Sequence, residues 1–306
     1  MDGIMKKIVV LGSINVDTIL NIPRLPLPGE TMAMGDQSTA GGGKGANQAI
    51  AAVRAGAETT FIAKVGQDHS ADFMLDTFKK DGLKMEHITV DPEAGTGKAY
   101  ILLDENGQNS ILIYGGANQT ITVNDVENAR DAIENADCLI SQFETPLDAT
   151  LAAFQIAKKN NVVTILNPAP AKTDIPQKLL SLTDIIIPNE TEAEAITGVR
   201  AVDRKSIINS AVKLNKLGVK RVIITVGSRG SLYYTDGKES FVDAYKVSTV
   251  DTTAAGDTFI GYLAAKLDSN LANMVEAMRF ASKASSMAVQ VKGAQNSIPY
   301  VDDVKI

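Results

Sequence analysis

Short continuous apolar runs alternate along this chain with longer segments of helical period. The apolar runs fall at 7–12, 60–65, 137–142, 162–167, 184–188 and 221–226. Each is bounded by turn residues, the pattern of a strand buried on both faces. Between them, apolar positions recur at three- and four-residue spacing over 44–55, 71–81, 123–135, 147–160, 191–197 and 206–217, and again over 259–267 and 271–291. This rhythm predicts βαβ units and an α/β fold. The sheet is expected to be largely parallel with helices on both faces, and ligand groups should sit on loops after the carboxyl ends of its strands.

Two stretches break the rhythm. Residues 15–38 are rich in Pro and Gly (IPRLPLPGE), while 98–104 and 110–114 flank the turn ENGQN and read as a hairpin. Together, at about 15–40 and 96–116, they are expected to form a small β lid on a single α/β domain spanning residues 1–306. A lid would keep water from a reacting group. A hairpin with no such role stays open, as does pairing of the apolar face at Ile111, Ile113 and Tyr114 with a second subunit.

Composition narrows the classes. At 306 residues, 44% hydrophobic and 22% charged, the chain can bury a full core and reads as globular. Its net charge of −6 and the lack of a basic run argue against nucleic-acid binding. No apolar segment reaches membrane-spanning length, and MDGIMKKIVVLGS fits a first strand better than a signal peptide. The single Cys138 offers neither an internal disulfide nor a zinc cluster. The expected compartment is the cytoplasm, with no membrane partner.

The densest chemistry lies in VDTTAAGDTFI, residues 250–260. Small residues there open a helix and leave its first N–H groups uncovered, an anion site suited to phosphate. Asp257 is then either a first-turn carboxylate or a general base beside a phosphoryl group in transfer. Gly41-Gly42-Gly43-Lys44-Gly45-Ala46-Asn47 fails the P-loop pattern, since Gly45 follows the lysine and Ser38 stands where the first glycine belongs. What remains is a glycine turn entering a helix, open to a polyhydroxy ligand. Lys44 opposes the dipole of that helix, so it is either a solvated lysine or one with an anion or polar ligand nearby. Asn15, Asp17 and Glu144 follow strands, where they either cap turns or bind hydroxyls. Asn189 or Thr191 caps a helix in PNETE, or its carboxylates serve a magnesium nucleotide. TVGSRG, spanning Thr225, Val226, Gly227, Ser228, Arg229 and Gly230, is either a β-turn or a phosphate-lining exit.

GSINVD, GGGKGANQ, NPAPA with PNETE, TVGSRG and DTTAAGD occur in one order over nearly the whole chain, which therefore resembles the ribokinase family of carbohydrate kinases. GGKGAN and NPAPA lean toward members that act on ribose over those for adenosine, fructose or other sugars. The resemblance implies a Rossmann-like three-layer core with a β lid that doubles as a dimer clasp. It implies that Asn15, Asp17, Gly43, Lys44, Asn47, Glu144 and Asp257 hold ribose, with Gly45 and Ala46 in the same turn and Asp257 as base. Ala254, Ala255 and Gly256 would form the anion hole. Asn189, Thr225, Gly227, Ser228, Gly230 and Gly256 would contact ATP, with Val226 and Arg229 in the same segment, and Glu192 would act on Mg²⁺ through water. Asp251 and the Thr253 carbonyl, with Ala288, Val291, Gly293 and Ser297, would bind an activating monovalent cation, usually K⁺. Two departures stand out: AAGD where many relatives have GAGD, and Ser282 where Asn or His often lies near adenine.

The implied reaction is ATP-dependent phosphorylation of the ribose primary hydroxyl, with the Ala255 and Gly256 amides stabilising the moving phosphoryl group beside Mg²⁺ and Lys44. A kinase for another sugar or a nucleoside is one alternative. A non-catalytic sugar or nucleotide sensor is the other, although it has no use for a base at Asp257.

Overall fold

The computed structural model describes residues 5–306. Its strands, numbered along the chain, are β1 (Lys7–Leu11), β2 (Asn15–Asn21), β3 (Asp36–Gly42), β4 (Glu58–Gly66), β5 (Ile88–Asp91), β6 (Gly97–Leu103), β7 (Asn109–Tyr114), β8 (Cys138–Ser141), β9 (Val163–Leu166), β10 (Ile185–Ile186), β11 (Arg221–Thr225), β12 (Ser231–Thr235) and β13 (Lys238–Val242). The helices are α1 (Lys44–Arg54), α2 (His69–Asp81), α3 (Val123–Asn128), α4 (Arg130–Glu134), α5 (Leu147–Lys159), α6 (Gln177–Ser181), α7 (Glu190–Thr197), α8 (Arg204–Lys216), α9 (Ala255–Lys266) and α10 (Met274–Ala288).

Nine strands form one sheet in the order β13-β12-β11-β10-β9-β8-β1-β4-β5. All pairs from β11 to β5 are parallel; β12 and β13 join antiparallel at one edge. Alternation along the strands divides the core. Ile8 and Val10 pack with α1, α2, α9 and α10 on one face, while Val9 and Leu11 pack with α3 to α8 on the other. The expected α/β fold with both sheet faces covered is therefore present. Among the described residues, no helix is long and apolar enough to cross a membrane.

A second, four-stranded sheet has the order β3-β2-β6-β7. The predicted hairpin is its β6–β7 pair, with Lys98 opposite Tyr114. Gly41 and Gly42 end strand β3 rather than forming the turn; Gly43, at φ 92°, makes it. A side chain there would meet the Ser13 carbonyl at 2.8 Å, so the turn needs glycine for both its angle and its closeness to the chain leaving β1.

Two predicted helices differ. The segment 123–135 divides at Ala129, whose φ of −102° and ψ of 11° interrupt it between α3 and α4. The last long helix begins at Met274 rather than 271, because Leu271 has φ 57°, a left-handed angle no right-handed helix accepts.

Candidate active site

Helix α9 opens as the small residues predict. Ala254 caps it at φ 59°, and its carbonyl accepts from both the N–H and the hydroxyl of Thr258. Of the three amides expected to receive an anion, Ala255 donates to the Thr252 carbonyl at 3.2 Å. Among the described residues no backbone acceptor takes the amides of Ala254, Gly256 or Asp257. Of these three, Gly256 is the exposed residue, while Ala254 and Asp257 are buried. The Ser285 hydroxyl donates to the Ala255 carbonyl at 2.8 Å and anchors this turn to α10.

Asp257 is 8% exposed, and its carboxylate is gripped from α1. Asn47 Nδ2 donates to Oδ2 at 3.0 Å and Gln48 Nε2 donates to Oδ1 at 2.9 Å. Gln48 also donates to Asn167 Oδ1 at 3.1 Å and accepts from Gln142 Nε2 at 2.6 Å. The approach of the two helices rests on Gly261, one turn beyond Asp257. A side chain there would meet the Ala51 Cβ at 2.5 Å and the Gln48 carbonyl at 2.8 Å.

The small sheet and the glycine turn gather further polar groups around Glu144 and Lys44, although Asn15, Asp17 and Glu144 border neither of the cavities at the start of α9. Asn15, opposite both Gly42 and Gly97, accepts from Asn118 Nδ2 at 2.8 Å. Asn118 also brackets Ile14, accepting from its N–H at 2.8 Å and donating to its carbonyl at 3.0 Å. Glu144 accepts from the Lys44 N–H at 2.9 Å and from the Ser13 hydroxyl. Ser13 holds the glycine turn as well, through Gly45 N–H to its hydroxyl at 3.3 Å and Ala46 N–H to its carbonyl at 2.9 Å. Burial, and secondarily the charge of Glu144, pushes the Asp17 carboxyl up to about 6. Burial pulls the Lys44 ammonium down, but the carboxylates of Asp257, Glu144 and Glu192 outweigh it and hold the group above the usual lysine range.

Two cavities meet at the start of α9. The smaller, about 170 Å³, is bordered by Lys44, Asn167, Glu192, Gly256 and Asp257. The larger, about 750 Å³, runs over Gly227, Ser228, Gly230, Tyr245 and Ser282. Asn189, Thr225, Thr252 and Gly256 border both. Val226, by contrast, is buried in the core. Arg229 borders neither cavity: its guanidinium pairs with Glu190 and donates to the carbonyls of Val202 at 2.9 Å and Ala201 at 3.1 Å.

Asn189 is indeed a helix cap, accepting from the Glu192 N–H at 2.8 Å, while both Glu192 oxygens accept from Asn189 at 2.9 Å. Glu192 still borders the small cavity. Burial raises its carboxyl above the ordinary range; the Asn189 N–H and Lys44 oppose this, and Asp257 adds to it. The titratable groups on that lining are therefore two carboxylates against one ammonium, a setting that favours a cation wherever phosphate is also bound.

The second expected ion site joins two loops. Asp251 accepts from the Thr253 N–H at 2.9 Å and hydroxyl at 2.6 Å, and from the Gly293 N–H at 2.9 Å. No backbone donor among the described residues reaches the carbonyls of Thr253, Val291 or Gly293, whereas the Ala288 carbonyl accepts from the Val291 N–H. Ser297 is buried and donates to the Ala294 carbonyl, leaving its own oxygen able to accept. Asp251 thus ties the two loops together, and carbonyl and carboxylate oxygens are the donor types a hard cation takes.

Sequence reasoning did not single out Ser13, Gln48, Asn118, Gln142, Asn167 or Thr252. Ser13, Gln48, Asn167 and Thr252 nonetheless lie within GSINVD, GGGKGANQ, NPAPA and DTTAAGD. Nothing in 244–249 signalled that Tyr245, Lys246, Val247 and Thr249 border the larger cleft.

A parallel sheet with small-molecule cavities at its carboxyl rim, and a carboxylate at an open helix terminus, define a phosphotransferase of the sugar-kinase class. The description "pfkB family carbohydrate kinase" matches residues 5–300, and the chain belongs to that family. It is 48% identical to a ribokinase of Staphylococcus aureus, over 97% of this chain and 98% of that one. It is 52% identical to a bifunctional ribokinase/ribose-5-phosphate isomerase A of Fructilactobacillus sanfranciscensis over 96% of this chain, which spans only 55% of that protein. Among solved structures, an Arabidopsis thaliana ribokinase complexed with ribose and ATP superposes with a TM-score of 0.91 at 34% identity, covering 98% of both chains.

Proposed function

We propose that this chain transfers the γ-phosphoryl group of ATP to the primary hydroxyl of ribose. One observation carries the reading: Asp257 borders the smaller cavity, next to Gly256, which borders both, at a helix opening where the Gly256 and Asp257 amides meet no backbone acceptor among the described residues. Its carboxylate keeps lone pairs free after accepting from Asn47 and Gln48, so it can take the proton of a sugar hydroxyl. The Gly256 and Asp257 amides then face the charge that develops on the phosphoryl oxygens, and Lys44 adds a positive charge at the same cavity. Asn15, Asp17, Lys44 and Glu144 would orient the sugar from the small sheet and the glycine turn. The larger cleft, with Tyr245 and Ser282 among its borders, suits the nucleoside of ATP.

Mg²⁺ fits the excess of carboxylate over ammonium, held through water by Glu192, and it supplies neutralisation of the phosphate charge. The loops at Asp251–Thr253 and Ala288–Ser297 fit K⁺, which would stiffen the turn that leads into α9. We further read the chain as one α/β domain capped by the small sheet, and as a homodimer formed through it.

A coupled assay of ADP release with ATP and ribose, 2-deoxyribose or adenosine, with and without K⁺, tests this. Ribose should be preferred and K⁺ should raise the rate; preference for adenosine overturns the assignment. Asp257→Asn should lower turnover on the order of 10²- to 10⁴-fold. Calorimetry should still detect ribose binding by that variant, and retained phosphorylation would remove Asp257 from its role.

A further inference from the structure

Behind the base lies a row of side-chain amides with one forced orientation. Gln142 leaves β8, Asn167 leaves β9 and Gln48 rises from α1; Gln48 and Gln142 are fully buried and Asn167 is 6% exposed. Gln142 Nε2 donates to Gln48 Oε1 at 2.6 Å. That bond leaves the Gln48 NH₂ group to face Asp257 Oδ1 at 2.9 Å and Asn167 Oδ1 at 3.1 Å. Asn167 is oriented in turn, because its Nδ2 donates to the Ile187 carbonyl at 3.0 Å. Were Gln48 reversed, its carbonyl would oppose both a carboxylate and an amide oxygen while its NH₂ faced that of Gln142. Gln48 and Asn167 therefore agree on one direction; Gln142, whose buried Oε1 has no partner among the described residues, takes its direction from the bond to Gln48, and each bond polarises the next.

We infer that Gln48 is a positioning residue for phosphoryl transfer. Held by Gln142 and Asn167, it locks the Asp257 carboxylate so that the edge turned toward the cavity meets the incoming hydroxyl. Gln48 is wholly buried and borders neither cavity, so it acts through Asp257 and not on the ligands. This rests on the reading of Asp257 as the base. It adds that Asn47 alone does not fix that base, since Asn47 holds only Oδ2. A buried donor lost from a charged acceptor typically changes an equilibrium or a rate by about 10- to 100-fold.

The test replaces Gln48 by methionine, which keeps its length and removes its donors. In Gln48→Met, kcat should fall about 10- to 100-fold while the KM for ribose stays within about twofold. A crystal structure of the variant should show the Asp257 carboxylate rotated away from its wild-type position. Unchanged kcat, or an unmoved carboxylate, overturns the inference; so does a rise in KM that accounts for the whole loss. Should that variant fail to fold, Gln142→Met removes only the polarising donor. It should lower kcat about three- to tenfold at constant KM, and full activity in it is equally decisive against the inference. The crystallographic arm needs no turnover, so loss of the ribose assignment and loss of this inference are separable.

Discussion

Ala254 holds a left-handed backbone that an alanine adopts at a penalty of about 1–2 kcal/mol. Its side chain contributes no hydrogen bond to the cap. Ala254→Gly should therefore raise stability by about 1 kcal/mol in denaturant melts and leave kcat close to wild type, because only backbone atoms serve the site. The AAGD variation read from the sequence is thus a matter of strain rather than chemistry. Asp17 shows a second tension. Its carboxyl titrates at about 6 in the fold against 3.8 when unperturbed, so the folded state binds the proton more tightly. The sign follows: folding carries no penalty below the lower value, a growing one between pH 4 and 6, and the full one above 6. A shift of this size is worth about 3 kcal/mol. Asp17→Asn should accordingly melt higher than wild type at pH 8 and equally at pH 4, while its affinity for ribose falls. Equal melting temperatures at both pH values would remove Asp17 from this role.

At the level of elements, α1 and α9 meet because both present small residues. Ala46, Ala49, Ala51 and Ala52 are buried on α1, and Gly261 faces them from α9. A glycine inside a helix forfeits about 1 kcal/mol relative to alanine, so the close approach must supply more than that. Gly261→Ala should destabilise by about 1–3 kcal/mol despite the better helix propensity, and should also lower kcat, because the helix carrying Asn47 and Gln48 is pushed from Asp257. A thermal melt and a rate measurement check the two halves. The helices and central strands were legible because their apolar period records which face is buried. Strand β3, DQSTAGG, was not; it has little strand propensity and exists by pairing residue for residue with β2. Asp257 and its helix opening were legible because a local motif makes them. Gln142 was not, since it reaches Gln48 across 94 residues of chain, and no local pattern reports such a contact.

For the whole molecule, the small sheet ends in an uncovered edge. Ile111, Leu112, Ile113 and Tyr114 on β7 are 49–64% exposed, and Tyr100 on the neighbouring β6 is exposed beside them. A long apolar edge strand left in water invites pairing with another chain. Sedimentation should find a dimer at micromolar concentration, and Leu112→Glu should shift it to monomer without unfolding the core. A monomeric wild type would leave this surface without its proposed partner.

Strand β2 leaves β1 through residues 12–14 with no intervening helix, and Asn118 clasps that crossing from both sides. This crossing thus tethers the platform, and Asn15 and Asp17, proposed to meet the sugar, follow it directly on β2. Any tilt of the platform must drag those groups with it relative to Asp257. On the proposed reading of Asn15 and Asp17, capture of the guest and alignment of its hydroxyl are coupled through this one crossing.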